Sequence, residues 1–243
     1  MSLRIAAATA LRVLRQLRHD PRTIVLVLVV PVVLVTLIKY VFHGSPVFDR
    51  IGGPLLGVFP MITMFLVTSI TMLRERTTGT LERLMTMPLA KLDLLVGYGA
   101  AFALVAAAQA FLASAVAFWL LDLHVAGAAW GVFLLAISNA LLGTALGLFL
   151  SAFARTEFQA VQFLPAFVFP QLLLCGLLTP RANMARPLEI ISWALPLTYA
   201  YDALDRVTRG VYGTRVAVDV VVVLSLSVLA LVAGAATLRR RTP

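Results

Sequence analysis

The sequence predicts an all-α integral membrane protein with six transmembrane helices. An interfacial amphipathic helix is expected at the N-terminus, and a short cytoplasmic helix between spans two and three. Three observations carry this prediction. First, the 243-residue chain is 61% hydrophobic and 13% charged, with a mean hydropathy of +0.97, where soluble domains run at about 45–50% apolar and about 25% charged. So much apolar surface cannot be covered as one soluble globule, and the same composition excludes a disordered chain. Second, six apolar runs alternate with short polar stretches, and crossing ~30 Å of hydrocarbon takes ~20 such residues. Third, the basic residues fall unevenly about those runs.

Residues 1–22 place Arg4, Arg12, Arg15, Arg18 and Arg22 opposite Leu3, Leu11, Leu14, Leu17 and several alanines, the pattern of an interfacial helix. No small-residue cleavage site follows, so a signal peptide is not expected. Span one is read over 23–42 and interrupted at Pro31. Span two covers 51–73, with Pro54 and Pro60 in its first half, and a charged stretch occupies 74–93. The alanine-rich span three covers 94–121, a turn 122–128, and span four 129–154. There Gly143-x-x-x-Gly147 permits close helix packing. A polar turn at 155–159 leads to span five, 160–178, where Pro165 and Pro170 are expected to kink the helix. The mixed segment 179–215 holds Trp193, Tyr199 and Tyr201 among apolar residues and reads as helices lying at the outer interface. Span six covers 216–238 and a basic tail 239–243.

The net charge of +9 is read as an orientation signal and as attraction to anionic lipid, not as a nucleic-acid surface. Six spans place both termini on one side. Lys39, Arg50, Arg181, Arg186, Arg206, Arg209 and Arg215 fall on the other side, and the remaining thirteen of the 20 Lys and Arg share the side of the termini. Both termini are therefore expected in the cytoplasm. Chemistry is conspicuously absent. There is no G-x-x-x-x-G-K-[ST] phosphate loop and no G-x-G-x-x-G. The lone Cys175 excludes an intrachain disulfide. His19, His43 and His124 lie apart in turns or flanks, so neither catalytic nor metal-binding residues are expected. Lys39 and Asp219, the latter paired to Arg215 four residues earlier, read as interfacial. Without a mid-membrane carboxylate, an ion-coupled carrier lacks its coupling group, and energy is expected from outside this chain.

The most informative stretch is 74–88. Leu81, Leu84, Met85 and Pro88 recur at i, i+3, i+4 and i+7, a short helix with one apolar face. Glu75-Arg76 recurs as Glu82-Arg83, about two turns on. Gly79 breaks the helix leaving span two, and Pro88 ends the next. Periodicity leaves two readings open: a solvated loop helix, or a docking element whose charged face turns to the cytosol.

The string RERTTGTLERLMTMPLAKLDLLVGYGAAFALVAAAQ, from Arg74, resembles the signature region of ABC-2 type transporter permeases, especially the daunorubicin/doxorubicin-type drug-exporter branch. A second block, PQLLLCGLLTPRANMARPLEIISWALPLTYAYDALDRVTRG from Pro170, is similar to that family's outer segment between spans five and six. The resemblance implies a single ABC-2 type transmembrane domain over 1–243, in which 1–22 is a connecting helix and 74–93 carries the coupling helix. Glu75, Arg76, Thr77, Gly79, Thr80, Glu82 and Arg83 would contact an ATPase subunit, with Arg155 and Glu157 as a smaller second contact. It further implies two copies of a separate ATPase chain holding ATP and magnesium. A second permease chain is implied as well, identical or a paralogue, in a bacterial plasma membrane. Outward transport of a small amphiphile, a drug or lipid-like metabolite, is the implied function, with no catalysis by this chain itself. Phe59, Met64 and Phe65 of span two and Gln162, Phe163, Phe167 and Gln171 of span five would line the pathway between two protomers. Ordinary bundle packing is the alternative for each of them. The competing classes are a non-transport membrane scaffold or receptor-like protein, and an ion-coupled secondary carrier.

Overall fold

A computed structural model describes residues 3–80, 83–84 and 91–237, and every regular element among them is helical. Helix α1 (Leu3–Arg18) turns into α2 (Pro21–Val41) at Asp20. The Asp20 carboxylate accepts the Thr23 backbone N–H and hydroxyl, and Pro21 takes the first helical position, where its missing N–H costs nothing. Next come α3 (Val47–Thr77) and α4 (Lys91–Ala115), the latter continued by a π turn, Val116–Leu120. Helix α5 is Ala129–Leu150. Beyond it lie α6 (Glu157–Phe163), a second π turn (Leu164–Val168) and α7 (Phe169–Leu174). Two short helices, α8 (Arg186–Ser192) and α9 (Pro196–Thr208), lead to α10 (Thr214–Thr237).

Five stretches are long and apolar enough to cross a membrane among the described residues: α2, α3, Val96–Leu120, α5 and α10. The sixth apolar run is helical but broken into α6, the π turn and α7. Pro165 and Pro170 supply the reason: each lacks an N–H and crowds the carbonyl four residues back, so the ladder widens. Pro31, by contrast, does not interrupt its span, since α2 runs through it as one helix. Helix α3 exceeds its expected bounds at both ends. Its 31 residues measure about 46 Å at 1.5 Å per residue, more than the hydrocarbon thickness, and carry Arg74, Glu75 and Arg76 past it. Helix α5 ends at Leu150, where a turn takes over four residues before the expected boundary.

Helices α3 and α5 form the central pair. A Cβ on Gly143 would run into the Met61 backbone carbonyl, and one on Gly147 into the Phe65 carbonyl and the Thr68 hydroxyl. The GxxxG pair is therefore a packing device that brings two backbones together. The remaining helices pack about this pair. Ala6, Ala10 and Val13 of α1 are buried, so α1 seats a small-residue face against α4, while Leu11 points outward. Large apolar side chains are exposed along α2 and α10, and Trp119 and Trp130 stand exposed at the far end, where aromatic rings suit a membrane interface.

At that end α8 and α9 cap the bundle. Arg181 reaches Asp202 at 2.5 Å and lies over the Trp193 ring, 4.6 Å from its centroid. Arg206 of α9 bridges Asp202, at 3.6 Å, and Asp219 of α10. Asp219 is thus held by Arg206 and not by Arg215, because α9 lies across the start of α10 while Arg215 is exposed. Lys39 sets its ammonium 4.7 Å from the Phe48 ring centroid.

Replacing Gly143 by Val should force α3 and α5 apart. The overpacking is expected to cost about 1–3 kcal/mol, read as a lowered unfolding midpoint in detergent. Gly99→Ala, where a Cβ meets nothing within 4 Å, should hold or raise that midpoint.

Candidate functional site

The charged end of the bundle gathers most of the residues singled out between spans two and three. Because α3 overruns the hydrocarbon, Glu75 leaves it beside α1 and α4. Glu75 is only 3% exposed, and Arg12 reaches it at 3.3 Å while also donating to the Tyr98 hydroxyl. Arg12 lies 5.5 Å from the centroid of the Tyr98 ring. Glu75 therefore faces inward and ties three helices, whereas the sequence had turned it to the cytosol. The clue was available: Arg12 follows Thr9 by three residues, on the small-residue face that packs against α4.

One residue earlier on the same helix, Arg74 takes a different course. Its Nε and Nη2 donate to the two Glu157 carboxylate oxygens at 2.7 and 3.0 Å, a bidentate fork. Glu157 opens α6, where Thr156 caps the helix by accepting the Gln159 N–H, and the Gln159 side chain accepts the Arg155 N–H. A carboxylate in that first turn is favoured by the helix dipole. The Arg74 hydrogen bond holds the Glu157 carboxyl below its ordinary value. Residues 74–80 and 155–157, from the two blocks expected to meet a partner, are thus joined at one end of the bundle through Arg74 and Glu157.

Past the end of α3 the chain turns at Thr78 and Gly79. Thr77 and Thr78 hydroxyls donate to the Arg74 carbonyl at 3.2 and 2.8 Å, and Gly79 turns the chain at φ +72°, a conformation that favours glycine. Thr80 and the Thr78 hydroxyl lie 3.1 Å apart. Arg76 is half-buried with no partner for its Nε among the described residues. Thr80, Arg83 and Leu84 are helical, whereas Glu82, Leu81, Met85 and Pro88 lie outside the described residues.

The pathway candidates divide. Met64 and Phe65 are fully buried in the core, while Phe59 and Phe163 are half-buried. Gln162 and Phe167 are exposed on the 157–174 segment, beside a concavity lined by Phe153, Arg155, Gln159 and Gln162. Gln171 is buried and fully engaged within the chain. Its amide donates to the Phe167 carbonyl at 3.0 Å and accepts the Leu197 N–H at 3.3 Å, which caps α9. A buried glutamine the sequence had not singled out, Gln109, donates to the Thr63 hydroxyl.

Residues 6–207 match the ABC-2 type transporter family. The chain belongs to that family. This ABC-2 type chain is 28% identical, over 167 residues, to the Probable multidrug ABC transporter permease YbhR of Escherichia coli (strain K12), covering 69% of this chain and 44% of that protein. It is 25% identical over 182 residues to ABC transporter G family member 20 of Dictyostelium discoideum, 74% of this chain and 25% of that one. It spans less than half the length of either relative. Family and helices together make it a multi-pass membrane protein and a membrane component of the ABC transporter class.

Arg12→Ala strands a buried carboxylate and should cost about 3 kcal/mol, measured as loss of thermal stability in detergent, with Glu75→Gln less damaging. The exposed Arg74–Glu157 fork is worth at most about 1 kcal/mol. A lowered carboxyl value means its contribution is present above the ordinary 4.5 and fades as pH falls through the folded value. A pH titration of stability should therefore lose a small increment in acid for the parent and none for Glu157→Gln.

Proposed function

We propose that this chain is the membrane subunit of an ATP-driven exporter. On this reading the broken helix from residue 160 onward is a transmembrane span, giving six, with both termini cytoplasmic. The charged end then faces the cytosol and docks an ABC ATPase that supplies ATP and magnesium chemistry. The single observation that carries the reading is the Arg74–Glu157 pair, which joins the end of α3 to the start of α6, the two places where contact segments are proposed. Thr77, Gly79, Thr80, Glu82, Arg83 and Arg155 are assigned to the contact. Glu75 and Arg76 act behind it, Glu75 by fixing the end of α3 to α1 and α4.

Two copies of the chain, identical or paralogous, would meet across the exposed face that carries Gln162 and Phe167. A small amphiphile passing between them would touch these residues and Phe59 and Phe163, whereas Met64, Phe65 and Gln171 set the shape of the wall from inside. The printed name of the bacterial relative, a multidrug permease, supports an amphiphilic substrate. ATP binding would close the ATPase pair and push the contact surface, moving α3 and α6 together because the arginine fork links them.

Co-expression with a candidate ABC ATPase tests the assignment. The pair should co-purify, and Arg83→Glu with Glu82→Arg should cut recovery of the ATPase by about tenfold, the loss expected from about 1.4 kcal/mol at an interface. Unchanged recovery would refute the docking surface. Export from inverted vesicles that needs a proton gradient and no ATP would favour the carrier reading instead.

A further inference from the structure

Near the charged end, between α1, α2, α3 and α4, lies a cavity of about 330 Å³. Its floor is the buried trio Val13, Val27 and Phe102. Leu66, Val67 and Ile70 of α3 form one wall and Leu26 and Val30 of α2 the other. From Thr63 to Arg74, both lining residues, the groove follows α3 for about 16 Å at 1.5 Å per residue. Apolar length with a few convergent polar groups is the character of a ligand site. Of the polar lining residues, Gln16, Asp20, Thr23 and Arg74 lie at helix ends, whereas Thr63 and Thr71 lie within α3.

Size sets the occupant's body. A cavity of about 330 Å³ drawn out along α3 suits a slender apolar body such as one acyl chain. Chemistry sets its head. Arg74 spends Nε and Nη2 on Glu157, leaving Nη1 as a donor. Each Asp20 oxygen accepts one bond from Thr23 and retains room for a second. Thr23 holds the Asp20 carboxyl below its ordinary value, with Arg74 and Arg22 adding to the effect, so an acceptor for a cation and a donor for an anion stand at one mouth. The second chain of a diacyl lipid would lie on the flank of α2, where Leu26 is 60% exposed.

We propose that this groove is a binding site for a zwitterionic phospholipid of the phosphoethanolamine class. One acyl chain lies along α3, the ammonium meets Asp20 and the phosphate meets Arg74. A phosphocholine head has no N–H to donate to Asp20, and a phosphoglycerol head has no cation, so the site discriminates among lipids that share the same tails. The inference needs only a chain embedded in lipid and stands apart from the transport reading.

The test uses the purified chain in nanodiscs doped with phosphatidylethanolamine, phosphatidylcholine or phosphatidylglycerol, each carrying a diazirine on one acyl chain. After illumination, labelled peptides are mapped by mass spectrometry. Phosphatidylethanolamine should label the 24–30 and 63–71 peptides about fivefold more than the other two, the ratio that one surface-level ion pair supplies. Asp20→Asn keeps a good helix cap and should remove that preference while leaving tail labelling in place. Leu26→Trp, altering an exposed side chain, and Ile70→Trp should each block labelling of both peptides, with unfolding midpoints recorded for both variants. Equal labelling by the three lipids, or labelling insensitive to Leu26→Trp, would overturn the site. So would displacement of the probe by a cationic amphiphile but not by excess unlabelled phosphatidylethanolamine.

Discussion

Lipid gives no hydrophobic reward for pressing one apolar helix against another, so the bundle depends on how closely α3 and α5 approach. Gly143 and Gly147 set that distance by removing the side chains that would meet the α3 backbone at Met61 and Phe65. At this spacing dispersion contacts are made along both helices, and the buried Thr68 hydroxyl comes within 3.4 Å of the Thr144 carbonyl. Everything else is hung on the pair. Helix α4 brings Tyr98 and Phe102 against Met64 and Met72, and α9 brings Leu197 and Tyr201 against Met61 and Phe65.

The two ends of the bundle are closed by charge, in different ways. At one end Arg12, Arg74, Glu75 and Glu157 pair across three helices, with Glu75 buried and Glu157 exposed. At the other, Arg181, Asp202, Arg206 and Asp219 form a chain from the outer segment into α10. A lone buried charge is costly, but alternating signs with further hydrogen bonds offset the desolvation. These networks add polar ties to the short elements α1 and α9, which also bury an apolar face.

Much of this was legible in the residues, and the misses have physical causes. The runs that became α2 and α10 were plain because they are apolar on every side and face lipid. Gly143 and Gly147 announced a close contact by spacing alone, and Pro165 announced a break. Pro31 misled because a proline in a helix is tolerated where neighbours or hydrocarbon leave no better alternative for the backbone. Glu75, Asp219 and Gln171 were read with partners near in sequence or none, while their actual partners lie 63, 13 and 26 residues away. No local pattern encodes such pairings, since they follow from which helices become neighbours. The junction of Arg74 with Glu157, 83 residues apart, belongs to the same class.

Helix α3 runs from one end of the bundle to the other. Near its start Asp49 accepts the His124 N–H at 3.1 Å, and at its end Arg74 and Glu75 hold α6 and α1. It is a single helix of about 46 Å, held by polar contacts at both ends and pressed closest to α5 near its middle, at Gly143 and Gly147. Rotating about that contact by about 5° would displace each tip by roughly 2 Å in opposite senses over that length. For such a rotation the fulcrum would be where Gly143 and Gly147 of α5 meet Met61 and Phe65, and its place along α3 would set the gearing.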